Sequence, residues 1–332
     1  PHSAQRTLAE TRRSEVCCFA SRSAENEVEL QWPISGSTRL RRPRGACRRR
    51  PVIGVRTSTR RGFTLIELLT TLAIIGVLAA LLVPAVQSAR ATARRIMCQN
   101  QVRQLGIALH LYHDSHSCFP AGSYVMGPSF PMQSGWGWGA MILPGIEQGS
   151  LYRSLDFGRG TAIGDNLRLI ATTVPLYRCP SEPASERVHV VSTDHEPYDL
   201  ASGNYCGSEG VLSPMSRVRL TDIHDGRSQT LMLGERMVQS GEKGALPFTS
   251  AWCGQVAFAD EYEYRSVPHL MPNVRHPINA SENDPSCFGS RHAGGANFAL
   301  ADGSTRFMNQ NIDARVFEAL GTINGREAVD VP

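Results

Sequence analysis

The side chains able to do chemistry in this 332-residue chain are histidines, acidic residues and cysteines. His110, His113 and His116 recur at i, i+3 and i+6, with Asp114 among them. On a helix that spacing puts neighbouring imidazoles on one face, where two could share a metal ion. The competing role is a polar helix end, where a protonated imidazole suits the dipole. Nine residues separate His292 from the pair Asp302-Gly303, and His292 and Asp302 are placed to meet across a hairpin. Asp225 and Asp302, with backbone carbonyls, are the groups a calcium site would draw on. No cofactor is expected, and calcium is the one candidate ion.

Catalytic patterns are missing. There is no GxSxG, no GxxxxGKS and no CxxC, so a nucleophile elbow, a phosphate loop and a zinc ribbon or thioredoxin-like site have no sequence support. The chain is not expected to be an enzyme. Of nine cysteines, Cys17, Cys18 and Cys47 lie in the first 61 residues, and Cys98, Cys118, Cys179, Cys206, Cys253 and Cys287 lie further on. An oxidising compartment would allow disulfides among the latter six, and at least partial oxidation is expected. Cys98 and Cys118 make a poor pair: on one helix they would be about 30 Å apart, far beyond disulfide reach.

What would position these groups is one stretch, Phe63 to Val86, 24 residues long with Glu67 as its single charge. As a helix it is about 36 Å long, enough to cross a hydrocarbon core of about 30 Å. Arg60, Arg61 and Gly62 stand just before it. A secretory signal peptide has a shorter apolar core with its small residues after it. Here the small residue comes first, so a cut at Gly62 keeps the apolar helix on the mature protein.

Charge supports the same orientation. Residues 1–61 carry 14 Arg and 5 Glu with no Lys or Asp, a balance of +9, and the rest of the chain carries −5. The positive-inside rule keeps the basic end in the cytoplasm and sends the remainder across the membrane. The basic pI belongs to the leader, so no nucleic acid partner is expected. Beyond the apolar run, Val102, Leu105, Leu109 and Tyr112 step by 3, 4 and 3, an amphipathic helical stripe. Pro84 is expected to bend the helix, which should end near Ser115–Ser117.

Residues 120–332 are rich in Gly and Pro with short periodic runs, the pattern of short strands and turns. Trp136 and Trp138 read as one strand face. ANFALADGSTRFM reads as a hairpin with a tight two-residue turn at Asp302-Gly303, and NIDARVFEAL as a closing helix. The predicted fold is α+β, a long N-terminal helix packed on a mostly antiparallel β domain. Its parts are a basic leader (1–62), a membrane half of the helix (63–86), an amphipathic half (87–117) and an exported globular domain (118–332).

The order Arg-Gly-Phe-Thr-Leu-Ile-Glu followed by an apolar helix resembles the prepilin-type cleavage and methylation signature of type IV pilins and type II secretion pseudopilins. The stretches RRGFTLIELL, LLVPAVQSARATARRIMCQNQVRQLGIALHLYHD, PLYRCPSEP, LTDIHDGRSQTLMLGE and SRHAGGANFALADGSTRF are similar to a prepilin-type family, expanded in planctomycete genomes, with a domain of unknown function and a C-terminal His-x9-Asp-Gly signature. His292, Asp302 and Gly303 match that signature. The resemblance implies a pilin-like fold and cleavage by a prepilin peptidase between Gly62 and Phe63, with methylation of the new amino terminus. Glu67 is then the residue that serves assembly.

Implied partners are the peptidase, other pilin-like subunits with their assembly machinery, and the lipid bilayer. The implied location is the cytoplasmic membrane, single-pass, with the C-terminal domain outside. Such leaders are short, and Val55, read from a GTG codon, would give an eight-residue one. The expected function is a pilin-like or pseudopilin-like structural subunit. The alternative is an anchored exported ligand-binding or enzymatic domain that uses the signature only for delivery.

Overall fold

A computed structural model describes residues 62–124, 135–183, 185–191, 197–238, 250–259, 264–267, 272–280 and 286–326. The leader, the Val55 start and Cys17, Cys18 and Cys47 lie outside the described residues.

Helix α1 runs Leu65–His116, 52 residues, about 78 Å long. Its start is fixed by sequence. Thr64 is extended, its hydroxyl accepts the Glu67 N–H at 3.3 Å, and the Glu67 carboxylate accepts the Thr64 N–H at 2.9 Å. This reciprocal capping box satisfies two donors that a helix start leaves open. The helix continues through Pro84. Every side chain from Leu65 to Met97 is exposed, and burial begins at Cys98. From there Cys98, Val102, Leu105 and Leu109 form one buried stripe, with Gly106 and Ala108 beside it. The predicted stripe is present and starts one turn earlier, at Cys98. Ser117 ends the helix in the left-handed region and donates its N–H to the His113 carbonyl.

Short elements follow: β1 (Gly135–Trp136), α2 (Trp138–Met141), α3 (Gly149–Ser154), α4 (Asn166–Leu169), β2 (Arg187–Val191) and β3 (Pro197–Ala201). Then come β4 (Tyr205–Gly207), β5 (Leu231–Glu235), β6 (Gly254–Ala259), β7 (Tyr264–Val267), β8 (Gly295–Leu300), β9 (Thr305–Asn309) and α5 (Ala314–Leu320). Trp136 and Trp138 are both buried but do not share a strand, because β1 stops at Trp136 and Trp138 opens α2.

The central sheet has the order β4-β5-β8-β9 and every pair is antiparallel. It is covered on both faces. Ala299 and Leu233 join the core under α1, while Phe298, Leu300 and Met308 join Phe317 and Leu320 of α5. A strand buried on both faces reads as a continuous apolar run rather than an alternating one, which is why ANFALA looks as it does. A register shift lies between Leu231 and Leu233. Because of it, Leu231 belongs to the α5 side while Met232 and Leu233 belong to the α1 side. Bulges re-aim side chains in this way, and here the consequence reaches Glu235, the last residue of β5.

The β8–β9 connection corrects the two-residue turn. Leu300 donates to the Ser304 carbonyl and accepts from the Gly303 N–H, both at 2.9 Å. The loop is therefore three residues, Ala301 to Gly303, with Gly303 at φ +83°. A three-residue hairpin needs one left-handed position, where two-residue type I′ needs two. The Asp302 Oδ1 closes the loop by accepting the Ser304 N–H at 2.8 Å.

Candidate functional site

Two places concentrate unusual chemistry. The first is the start of α1. Gly62 and Phe63 are exposed, and a Cβ added to Gly62 would meet nothing within 4 Å. Among the described residues no contact asks for glycine there. Glu67 Oε2 accepts both from the Thr64 N–H and from its hydroxyl, at 2.9 and 2.7 Å. Past it lie Leu68, Leu72, Ile75, Val83 and their neighbours, all exposed. Among the described residues, α1 is the one helix long and apolar enough to cross a membrane.

The second place is buried. Cys98 of α1, Cys179 after the 3₁₀ turn Pro175–Tyr177, Glu235 at the end of β5 and His292 just ahead of β8 converge. One ligand atom from each lies within 4.8 Å of all the others. His292 Nε2 is 3.5 Å from Cys179 Sγ and 3.4 Å from Glu235 Oε1. Glu235 Oε2 accepts the backbone N–H and the side-chain Nδ2–H of Asn297, at 2.7 and 3.0 Å. Glu235 Oε1 is buried and has no hydrogen-bond partner. The Ser181 N–H donates to Cys179 Sγ at 3.4 Å.

The electrostatics of this group are polarised. The Cys98 thiol beside it, outweighing burial, together with His292, holds Cys179 below the ordinary thiol range. Cys179 in turn, with burial, pushes Cys98 upward. Burial opposes charge on His292, yet Cys179 and Glu235 prevail and raise it to about 9. The shifts of Cys98, Cys179 and His292 come from direct contact within one buried group.

Residues 57–83 match the model described as "Prokaryotic N-terminal methylation motif", and residues 87–315 match that described as "Protein of unknown function (DUF1559)". The second match covers well over half of the chain. This chain belongs to the DUF1559 family. Neither the comparison with curated proteins nor that with solved structures returns a match. The methylation motif makes this DUF1559 chain a prepilin-type protein, pilin-like and of the kind that prepilin peptidase processes. The motif and the apolar helix together fit a membrane-anchored, exported protein.

The remaining candidates have local tasks in the DUF1559 chain. His110 packs edge-on against Phe119, and burial followed by the charge of His113 holds its pKa below the ordinary imidazole value. His113 Nε2 accepts the Leu220 N–H at 3.3 Å, and its ring tilts against Phe119. His116 stacks on Tyr112, and its Nδ1 is 2.7 Å from Ser115 Oγ. Among the described residues these three histidines do not form a ligand group with a carboxylate or a thiol. Asp225 accepts from the Thr322 hydroxyl and from the N–H groups of Gly325 and Arg326, while Asp302 serves its hairpin.

His292 and Asp302 do not meet. His292 precedes β8 and Asp302 follows it, and a six-residue strand spans about 20 Å. The nine-residue gap is the length of β8 and its approaches. The expected disulfides are also not formed: Cys98, Cys118, Cys179, Cys206, Cys253 and Cys287 are all free. The Cys98–Cys179–Glu235–His292 group was not legible from spacing, since its members lie far apart in the chain. The available signal was that each of the four falls in one of the stretches resembling the family.

Proposed function

We propose that this DUF1559 protein is a pilin-like or pseudopilin-like structural subunit that packs into a filament through the exposed half of α1. One observation carries the reading. A single continuous helix is bare and apolar on all sides over its first half and buried in the sheet domain over its second. The bare half suits a bilayer crossing, and once out of the bilayer its apolar sides need cover, which identical helices set alongside it would supply. The Glu67 carboxylate lies one turn in from the amine that cleavage creates on Phe63. In a packed bundle that amine on a neighbouring helix is an electrostatic partner in low dielectric, and the pair fixes the axial register.

The experiment is shearing of surface filaments from cells, followed by detection of mature subunit in the sheared fraction. Presence there supports assembly, and retention of all subunit in the membrane fraction overturns it. The anchored-domain alternative has its own supporting feature, an open cleft of about 790 Å³ beside α5, lined by Asn273, Arg275, Arg315, Glu318 and Thr322 among others. Retention in the membrane would favour it.

A further inference from the structure

The buried group at the junction of α1 with the sheet takes no part in cleavage or in packing of the bare helix, and its role is independent of whether the chain assembles. We propose that Cys98, Cys179, Glu235 and His292 form a structural zinc site. Two thiolates, an imidazole nitrogen and a carboxylate oxygen are the donors zinc takes, in a tetrahedron closed by four protein ligands. Calcium and magnesium favour all-oxygen shells, and Cu(I) favours sulfur alone.

The spacing fits. With Zn–S near 2.3 Å and Zn–N and Zn–O near 2.1 Å, a tetrahedron has an S···N edge of about 3.6 Å and an N···O edge of about 3.4 Å. The corresponding separations are 3.5 Å for Cys179 to His292 and 3.4 Å for His292 to Glu235. The second is long for a charge-assisted hydrogen bond, and Glu235 Oε1 has no hydrogen-bond partner there. With only the His292 ring nitrogen near it, at 3.4 Å, this buried carboxylate oxygen is poorly satisfied, and a cation central to the group supplies what it lacks. His292 uses Nε2, the nitrogen already turned toward both Cys179 and Glu235.

Supporting contacts are those of a ligand shell. Asn297 fixes Glu235 through two donors to Oε2, leaving Oε1 free to bind. The Ser181 N–H steadies the Cys179 sulfur. The shift in β5 between Leu231 and Leu233 puts the end of that strand on the helix side. A cleft of about 330 Å³, lined by Thr92, Arg94, Arg95, Ser181, Arg291 and His292, opens beside the His292 ligand. One ligand comes from α1 and three from separate parts of the sheet domain, so the metal ties helix to sheet. The competing chemistry is a Cys98–Cys179 disulfide.

The test uses full-length protein extracted in detergent and purified without air. Elemental analysis should find about one zinc per chain, and thiol counting should find no disulfide. Chelation should lower the melting temperature, with Zn²⁺ and not Mg²⁺ or Ca²⁺ restoring it. Co²⁺ in place of zinc should give the charge-transfer and d–d bands of tetrahedral thiolate coordination. Cys179→Ser and His292→Gln should abolish those bands. Asn297→Leu keeps all four ligands and should weaken zinc binding roughly 10–100-fold. Should the ligand variants misfold, the cobalt spectrum of the unaltered chain still decides. Substoichiometric zinc with no cobalt–thiolate bands overturns the proposal, and so does a Cys98–Cys179 disulfide in the anaerobic preparation.

Discussion

Gly303 lies against the imidazole of His110: a Cβ added to the glycine would meet Cδ2 and Nε2 of that ring at 3.5 Å. The Asp302-Gly303 turn therefore docks on α1, and two features that look unrelated in sequence form one contact. Gly303 also holds φ +83°, where a side chain costs about 1–2 kcal/mol. Gly303→Ala should lower the melting temperature of detergent-purified protein by a few degrees. An unchanged melting curve would show that the turn relaxes freely.

Glu67 carries two duties that substitution can separate. Glutamine preserves a capping box and removes the charge, whereas alanine removes both. Glu67→Ala should weaken the helix start by about 1 kcal/mol, seen as reduced helicity of a peptide spanning the first turns in detergent micelles. Glu67→Gln should keep that helicity, still be cleaved, and yet be missing from sheared filaments. Glu67→Gln subunits in fibres at wild-type level would remove the charge from the assembly argument.

Gly62 has open space around it, so its replacement should leave folding intact and stop processing. Gly62→Val should accumulate as precursor with an unchanged melting temperature. Intact-mass measurement checks it, and a variant that matures to the wild-type mass would move the cleavage site elsewhere.

Burial pushes Cys206 up to about 11 and Cys253 up to about 12, from an ordinary 9.0. Both stay as thiols in the folded chain at neutral pH, while Cys118 is only half-buried. Alkylation of native protein should mark Cys118 and leave Cys206 and Cys253 unmarked until denaturant is added. Above pH 9.0 the unfolded chain loses these protons while the folded chain keeps them, so these two thiols should make stability fall as pH rises from 9 toward 11. Early labelling of Cys206 or Cys253 would contradict the burial.

Leu105 and Leu72 lie on the same helix in different surroundings. Leu105 is fully buried under the sheet, and Leu72 is 56% exposed. Leu105→Ala should cost about 2–5 kcal/mol and lower the melting temperature of the domain. Leu72→Ala should leave it unchanged. Equal effects would mean that the two halves of α1 do not behave separately.

The helix, its stripe and the last hairpin were legible because each is written in a short window: an apolar run, a 3-4-3 spacing and a DG pair between apolar strands. The buried site was not. Cys98 sits one turn ahead of Val102 and reads as a small apolar member of the stripe, as free cysteines usually do. Glu235 closes a strand whose facing depends on a register shift, and β-bulges leave no reliable trace in a single sequence. His292 was singled out, but with Asp302 as its partner. The strand between them holds the two apart, and only tertiary folding brings His292 to Cys179.

The stretch from Val86 to Cys98 has a further consequence. It rises about 18 Å along the helix axis before the first buried side chain appears at Cys98. At physiological ionic strength electrostatic potentials decay over about 8 Å. If a bilayer ends near Val86, the first buried side chain of the globular part stands about two decay lengths from the lipid headgroups. Arg90, within one decay length, feels the charge of the lipid surface. Arg95, which stacks on Phe307 at 4.7 Å from its ring centroid, already belongs to the domain beyond. The neck thus acts as electrical insulation, damping the charge of a lipid surface before it reaches the buried group at Cys98.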